Sequence, residues 1–191
     1  MYQYNIQLKK YNSFRTEAVA KIFFEPENIT QLKQCLLDFP NEKKLLIGSG
    51  CNLFFTKDFD GLVIHPQILG VREISDVSDE SDDVYLEVMA SEDWDKLVEF
   101  SVDKGYSGLE NLSYIPSTVG AAPVQNIGAY GAEVKDCVHE VIALDTNTLD
   151  VVSFSNAECE FASRDSVFNR IADRYIIISV ALMLIHIALF K

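Results

Sequence analysis

Residues 115–131 read IPSTVGAAPVQNIGAYG and contain three glycines, three alanines, two prolines and no charged side chain. The prolines and glycines interrupt any long helix, and no alternation of apolar and polar residues indicates a strand. Two interpretations follow from this composition. Small side chains let a large planar ligand with a diphosphate lie against the main chain, or they suit a tightly packed loop between domains.

The composition around this segment is that of a globular protein. The chain has 191 residues, of which 48% are hydrophobic and 24% charged, and its net charge is -13. That charge argues against a general attraction to nucleic acid or to an anionic membrane, so we expect neither as a partner. Anionic small molecules stay possible ligands, because main-chain N–H groups bind phosphate without lysines.

Cysteine and histidine spacing predicts no metal site. The chain has four cysteines with no CxxC pair and three histidines without the spacing of metal ligands. This pattern also argues against a disulfide framework, and together with the polar N-terminus it favours a reduced, cytoplasmic setting. The residues concerned are Cys35, Cys51, Cys137, Cys159, His65, His139 and His186.

The N-terminal third predicts a strand–helix–strand unit. Strands are expected at residues 18–24, 44–47 and 61–64, with a helix after Asn28, whose side chain can cap it. The second strand continues directly into Gly48-Ser49-Gly50-Cys51-Asn52, where glycines allow a sharp turn and close approach of a ligand. Alone, this pattern is typical of a tight turn as well as of a diphosphate loop.

The remaining chain predicts a second α+β region, so we expect subdomains at residues 1–66 and 67–191. We predict strands at 84–89 and 176–180, a hairpin of 138–144 with 151–154, and a solvated acidic turn at 75–83. We predict a helix capped by Ser91 that buries Trp94, Leu97, Val98 and Val102 on one face. Residues 175–190 are nearly all apolar, and a buried strand is favoured over a membrane anchor.

Arg164 lies in the run Phe161-Ala162-Ser163-Arg164-Asp165-Ser166. A surface ion pair accounts for an isolated arginine–aspartate pair. An arginine that faces a pocket instead stabilises an oxyanion or enolate as the charge forms.

The three motifs, in this order, resemble the family of UDP-N-acetylenolpyruvoylglucosamine reductases, flavoenzymes of peptidoglycan precursor synthesis. The resemblance covers residues 2 to about 184 and is most specific in VGAAPVQNIGAYG. It implies an α+β FAD-binding fold of the vanillyl-alcohol-oxidase type, with two subdomains around the flavin. It also implies NADPH as co-substrate and the enolpyruvyl ether of UDP-N-acetylglucosamine as substrate, with hydride transfer carried out by the cofactor.

The resemblance assigns residues to roles. It implies that Arg164 is catalytic and stabilises the enolate-like charge, and that Tyr130 and Ser163 contact the substrate. The implied FAD contacts are Ile47, Gly48, Ser49, Gly50, Cys51, Asn52, Leu53, Ile115, Pro116, Ser117, Thr118, Gly120, Ala121, Gln125, Asn126, Gly128, Ala129 and Gly131.

The sequence departs from the family pattern at several positions. Arg15 and Ser117 replace glycines, Cys51 replaces a serine, and Ala162-Ser163 stands where the family has Gly-Tyr. Family members also continue into a C-terminal domain that supplies a serine proton donor. We expect that domain to be absent here, and the isolated chain to bind FAD but to be inactive, or nearly so, in the full reaction. Two further interpretations therefore stay open: a non-catalytic remnant that binds FAD weakly or not at all, or an unrelated nucleotide-binding module.

Overall fold

The structure is a computed structural model that describes residues 1–74 and 83–187. The chain divides into two compact units, Met1–Ile68 and Leu69–Lys191. This division lies two residues after the boundary predicted between residues 66 and 67. Of the acidic turn predicted at 75–83, only Asp83 lies among the described residues, where it begins a strand.

The first unit contains a four-stranded mixed sheet and one helix. In chain order its elements are β1 (Gln3–Gln7), β2 (Val19–Phe24), α1 (Ile29–Asp38), β3 (Lys44–Leu46) and β4 (Phe59–Ile64). The strands lie in the order β1-β2-β4-β3. β1 is antiparallel to β2, whereas β2 and β3 both run parallel to β4.

Local sequence signals explain the first helix. The Asn28 side chain accepts a hydrogen bond from the N–H of Gln31 at 2.9 Å, which confirms the predicted N-cap. Leu32, Cys35 and Leu36 form its buried face. The predicted strands around α1 are confirmed, and β1 is an additional strand that was not predicted.

The second unit is built on a larger antiparallel sheet. Its elements are β5 (Val71–Ile74), β6 (Asp83–Met89), α2 (Trp94–Asp103), β7 (Tyr106–Ser107), β8 (Gly128–Ala129), β9 (Ala132–Glu133), β10 (Val138–Asp145), β11 (Val151–Ser155), α3 (Val167–Arg170) and β12 (Tyr175–His186). The strand order is β11-β10-β12-β6-β5, and β7 also pairs with β12. β8 and β9 form a separate two-stranded hairpin.

Helix α2 differs from its prediction at two positions. Its N-cap is Asp93 and not Ser91, because the Asp93 carboxylate accepts the N–H of Lys96 at 3.0 Å. Val102 is 53% exposed, and Ser101 takes the buried position instead. Trp94 is the largest fully buried side chain of the helix, and its Nε1–H donates to the carbonyl of Leu112 at 2.9 Å.

Strand β12 is the centre of the second sheet and is longer than predicted. The predicted strand ends at residue 180, whereas β12 continues to His186 between β10 and β6. The apolar run is therefore a sheet strand, as expected, through residue 186. Within residues 1–74 and 83–187, no helix combines the length and hydropathy that a bilayer span requires.

Candidate functional site

The 47–53 loop leaves the carboxyl end of β3, a strand parallel to β4. Ligands of parallel sheets generally bind beyond the carboxyl ends of the strands. Ile47 fixes the start of the loop, because it is buried and its N–H donates to Ile64 at 2.9 Å. The parallel register therefore places the predicted diphosphate loop at the sheet edge where such loops bind ligands.

Gly50 is required by the packing of the first unit. Its φ is +71°, a left-handed conformation, and a Cβ there would lie 2.0 Å from the carbonyl oxygen of Tyr11. Ser13 holds the loop from the other side: its N–H donates to Gly50 at 3.2 Å and its hydroxyl to Cys51 at 2.9 Å. The loop is thus seated on the turn formed by residues 12–15.

The 12–15 turn is organised by a buried asparagine. The side chain of Asn12 donates to the carbonyls of Leu8 and Thr16, and accepts the N–H of Thr16 at 2.9 Å. Arg15 follows with φ +53°. A glycine adopts this conformation without the steric cost that a side chain carries, so the family's glycine at this position has a physical reason.

The 115–131 segment packs on the second unit's own core. Residues 117–120 run antiparallel to residues 90–94, with Thr118 opposite Asp93. Three main-chain hydrogen bonds of 2.9–3.1 Å join them: Trp94 N–H to Ser117, Val119 N–H to Glu92 and Gly120 N–H to Ala90. The side chains of Val119, Ala122 and Ile127 are fully buried in that core. Close packing against the core therefore explains the small and apolar residues on the buried side of the segment.

Gly120 and Ser117 occupy their positions for steric reasons. A Cβ on Gly120 would lie 2.6 Å from the Cβ of Ala90, so only a glycine fits without movement. Ser117 is buried, does not have a positive φ, and donates its hydroxyl to the carbonyl of Thr118 at 3.0 Å. The loss of the family's glycine at residue 117 consequently causes no left-handed strain.

The segment ends in a tight hairpin that displays Tyr130. Gly128 and Ala129 pair with Glu133 and Ala132, and the two residues between the strands have φ +50° and +84°. Positive φ at both central residues defines a type I′ turn. Tyr130, the first of them, is 89% exposed, and a Cβ on Gly131 would meet no atom within 4 Å.

Arg164 lies next to this hairpin, on a tight turn. Ala162 and Asp165 exchange main-chain hydrogen bonds of 2.9 and 3.2 Å across Ser163 and Arg164. Arg164 has φ +56°, is exposed, and donates from Nη2 to the carbonyl of Gly128 at 2.9 Å. The structure thus brings the predicted catalytic arginine to the predicted glycine segment, 36 residues earlier in the chain.

Asn126 has a role that the sequence did not predict. Its side chain is 0% exposed and donates from Nδ2 to the carbonyl of Ala162 at 2.9 Å, while its Oδ1 accepts the N–H of Lys135 at 3.2 Å. The donor and the acceptor of this amide are thus used inside the protein, and its contact with a cofactor stays a prediction. No feature of the local sequence distinguishes the two roles, because the partners are 36 and 9 residues away.

The predicted FAD contacts divide by exposure. Buried members are Ile47, Gly50, Ser117, Gly120 and Asn126; partly or fully exposed members are Gly48, Ser49, Cys51, Asn52, Leu53, Ile115, Pro116, Thr118, Ala121, Gln125, Gly128, Ala129 and Gly131. The predicted substrate contacts Tyr130 and Ser163 are both exposed.

The donor chemistry of these segments fits a dinucleotide. Neither the 47–53 loop nor the 115–131 segment contains an aspartate or glutamate, although the chain carries a net charge of -13. A diphosphate there would meet hydroxyl, amide and main-chain groups without a like charge in the same stretch. The nearest carboxylate in sequence is Glu133, whose pKa is lowered by the hydrogen bond from Lys135 and further by Asn126 and Arg164.

An α+β fold with two glycine-rich, uncharged segments has the features of a dinucleotide-binding flavoprotein domain. The chain belongs to the FAD binding domain family, whose model matches residues 20–150. The predicted α+β FAD-binding fold is thereby confirmed.

Comparison with curated relatives identifies a smaller group within the FAD-binding family. The chain is 44% identical over 93% of its length to UDP-N-acetylenolpyruvoylglucosamine reductase of Flavobacterium johnsoniae, of which it covers 52%. It is 43% identical over 95% of its length to the reductase of the same name from Neisseria gonorrhoeae, of which it covers 53%. The chain thus spans about half the length of these relatives, and the resemblance inferred from the three motifs is confirmed.

Solved structures support the same fold. UDP-N-acetylenolpyruvylglucosamine reductase from Thermus caldophilus matches with a TM-score of 0.75 at 22% identity, over 96% of this chain and 62% of that one. Cholesterol oxidase from Brevibacterium sterolicum, in its His121Ala form, matches with a TM-score of 0.64 at 10% identity, over 95% of this chain and 37% of that one. At these identities the likeness is one of fold.

Proposed function

We propose that this chain is the FAD-binding region of a UDP-N-acetylenolpyruvoylglucosamine reductase. The observation that carries the proposal is the 44% identity to a reductase of that name, sustained over 93% of this chain. An alignment of this length covers most of both units. The proposal makes the protein an NADPH-dependent flavoprotein oxidoreductase of the cytoplasm that acts in peptidoglycan precursor synthesis.

The residues proposed to hold FAD are the accessible members of the predicted set. In the 47–53 loop, Ser49 and Asn52 are exposed and carry polar side chains, so they suit a diphosphate. In the 115–131 segment, Thr118 and Gln125 are partly exposed and offer uncharged polar groups to a heterocycle. Bound FAD would supply the hydride chemistry between NADPH and the enolpyruvyl group.

Arg164 is proposed to bind the substrate carboxylate and to stabilise the negative charge that develops next to it. Its exposed guanidinium contacts Gly128 through Nη2, and the remaining N–H groups of the fork suit a carboxylate. The turn fixes the backbone of Arg164 before the reaction, and a positive charge positioned in advance is what electrostatic stabilisation of a transition state requires. Tyr130 and Ser163 are proposed as substrate contacts because both are exposed on the turns that adjoin Arg164.

Flavin retention tests the first part of the proposal. The purified chain should keep flavin absorbance through desalting, and the released flavin should be FAD and not FMN. A protein that stays colourless after incubation with excess FAD, while circular dichroism shows it folded, would contradict flavin binding.

Turnover tests the second part. NADPH oxidation by the FAD-loaded chain should be slow and should depend on the enolpyruvyl ether of UDP-N-acetylglucosamine, and UDP-N-acetylglucosamine itself should not support it. Retained FAD with no substrate-dependent oxidation would identify a non-catalytic flavin-binding protein instead.

A further inference from the structure

The Arg164 turn, residues 162–166, is fastened to residues 124–128 at every second position. Ser166 donates its hydroxyl to the carbonyl of Val124 at 2.7 Å. Asn126 donates its side-chain amide to the carbonyl of Ala162 at 2.9 Å. Arg164 donates to the carbonyl of Gly128 at 2.9 Å. Two segments that are distant in sequence are thereby held together.

The strength of these three contacts differs with burial. The Arg164 contact is exposed, so water competes for both groups and the contact alone fixes the guanidinium weakly. Asn126 and Ser166 are 0% exposed. Breaking a buried hydrogen bond leaves a polar group unsatisfied, which costs about 1–3 kcal/mol. The two contacts whose donor side chains are buried therefore decide where the turn lies.

We propose that Asn126 is a positioning residue for Arg164, which it orients by holding the carbonyl of Ala162 at the start of the turn. Its Oδ1 is fixed in turn by the N–H of Lys135, so the amide spans the segment, the turn and the stretch after the β8–β9 hairpin. The inference rests on the proposed function only in assigning Arg164 its role in catalysis.

Asparagine meets the requirements of this position in two respects. The residue has φ +42°, and asparagine adopts left-handed conformations more readily than other residues with a side chain. Its side chain carries both the donor for Ala162 and the acceptor for Lys135. Aspartate keeps the size and the acceptor oxygen but lacks the amide donor, so Asn126→Asp removes the contact with the turn. It also removes a hydrogen bond to Glu133 and adds a negative charge, so a control variant has to introduce the same charge.

Asn156 provides a matched control in the same unit. Its side-chain amide donates to the carbonyls of Lys135 and Val138 at 2.8 and 2.7 Å. Asn156→Asp therefore also removes side-chain donation to main-chain carbonyls, but at a place that does not contact the Arg164 turn. A general loss of stability should affect both variants, whereas a loss of positioning should affect Asn126→Asp alone.

Hydrogen exchange tests the inference independently of turnover. In the FAD-loaded chain, Asn126→Asp should accelerate exchange of the Ala162 and Asp165 N–H groups about tenfold, the factor that corresponds to about 1.4 kcal/mol. Asn156→Asp should leave these two groups at the wild-type rate. Ser166→Ala serves as a second variant, since it removes the other buried contact of the turn and should accelerate the same two groups.

A kinetic comparison tests the consequence for Arg164. Asn126→Asp should lower kcat for the enolpyruvyl substrate about tenfold and leave the Kd for FAD within roughly twofold of wild type, as Arg164→Lys should also do. Asn156→Asp should preserve kcat.

The outcomes separate the two claims. Unchanged exchange at Ala162 and Asp165 in both Asn126→Asp and Ser166→Ala would overturn the positioning role, whatever the activity. A tenfold loss of kcat in Arg164→Lys with full activity in Asn126→Asp would overturn it as well. Accelerated exchange in a protein whose turnover does not respond to Arg164→Lys would leave the positioning intact and reject the proposed role of Arg164.

Discussion

The 47–53 loop and the 115–131 segment share a composition but use their glycines differently. Gly50 combines a left-handed backbone with a Cβ position filled by the carbonyl of Tyr11. Gly120 lacks the left-handed backbone, yet its Cβ position is filled by Ala90. Gly131 has the left-handed backbone and open space around it. A turn or a close contact inside the protein is therefore sufficient to explain each of these glycines without a ligand.

The two regions also differ in what they rest on. The main chain of the loop is held by the N–H and the hydroxyl of Ser13 in the 12–15 turn, whereas the segment is anchored by buried side chains such as Val119 and Ile127. Main-chain contacts tolerate many side chains but no displacement of the backbone. Substitutions at the glycines should consequently be most harmful in the loop.

Gly50→Ala should have the largest effect and tests this comparison directly. The methyl group adds the left-handed penalty to a clash with main-chain atoms of Tyr11 and Asn12, and we expect a loss of about 4 kcal/mol in the free energy of unfolding. Urea denaturation of the two proteins measures the difference.

Gly131→Ala is the matched control for that prediction. It has a similar φ but no atom within 4 Å of the added methyl, so only the backbone penalty of about 1 kcal/mol remains. Equal losses at Gly50 and Gly131 would show that the contact with Tyr11 contributes nothing.

Gly120→Ala should cause the next largest loss in the free energy of unfolding. The methyl lies 2.6 Å from the Cβ of Ala90, and such overpacking costs about 2 kcal/mol. Adding Ala90→Gly should recover part of the loss, because the contact between the two methyl groups disappears while the main-chain atoms of residue 90 stay close. Additive losses in urea denaturation of the single and double variants would refute the contact. FAD affinity should follow stability in this series, since Gly120 is buried against protein.

Much of the fold follows from short-range sequence signals. Asn28 before an amphipathic stretch, and the β-branched runs of β2, β4 and β12, each predict an element from residues that are neighbours in the chain. β1 and β5 lack such a signal. Every residue of β1 is exposed except Ile6, which is partly buried, so it forms a strand only because β2 offers a partner.

The helix cap and the site illustrate what local patterns leave open. Ser91 and Asp93 are both good N-caps, and Asp93 prevails because Thr118 and Ser117 fix the chain beside it. The left-handed backbone of Arg164 and the burial of Asn126 depend on partners far along the chain. Sequence motifs therefore identified the segments, whereas the packing and hydrogen-bond partners of each residue within them required the structure.

Arg15→Gly should have a smaller effect, in the stabilising direction. Arg15 has φ +53° beside the 47–53 loop, and glycine removes the left-handed penalty but makes the unfolded chain more flexible. A net gain of about 0.5–1 kcal/mol in urea denaturation is expected. Arg15→Lys keeps the side-chain strain and should match the wild type. If both variants have wild-type stability, residue 15 carries no strain and the family's glycine has another cause.

Glu133→Gln should have the smallest effect on the free energy of unfolding. Its effect should depend on pH in the hairpin region but not in the 47–53 loop. The hydrogen bond from Lys135, with smaller contributions from Asn126 and Arg164, holds the pKa of Glu133 below its ordinary value of 4.5. A lowered pKa stabilises the folded state above 4.5, and this contribution is lost as the pH falls from 4.5 through the folded-state pKa. Wild type should therefore be more stable than Glu133→Gln at pH 7, and the difference should vanish in acid. The 47–53 loop contains no carboxylate, so its hydrogen-exchange protection relative to the rest of the first unit should be the same in both proteins. A difference in unfolding free energy that stays constant down to pH 3 would mean that the charge of the Glu133 carboxylate does not stabilise the hairpin.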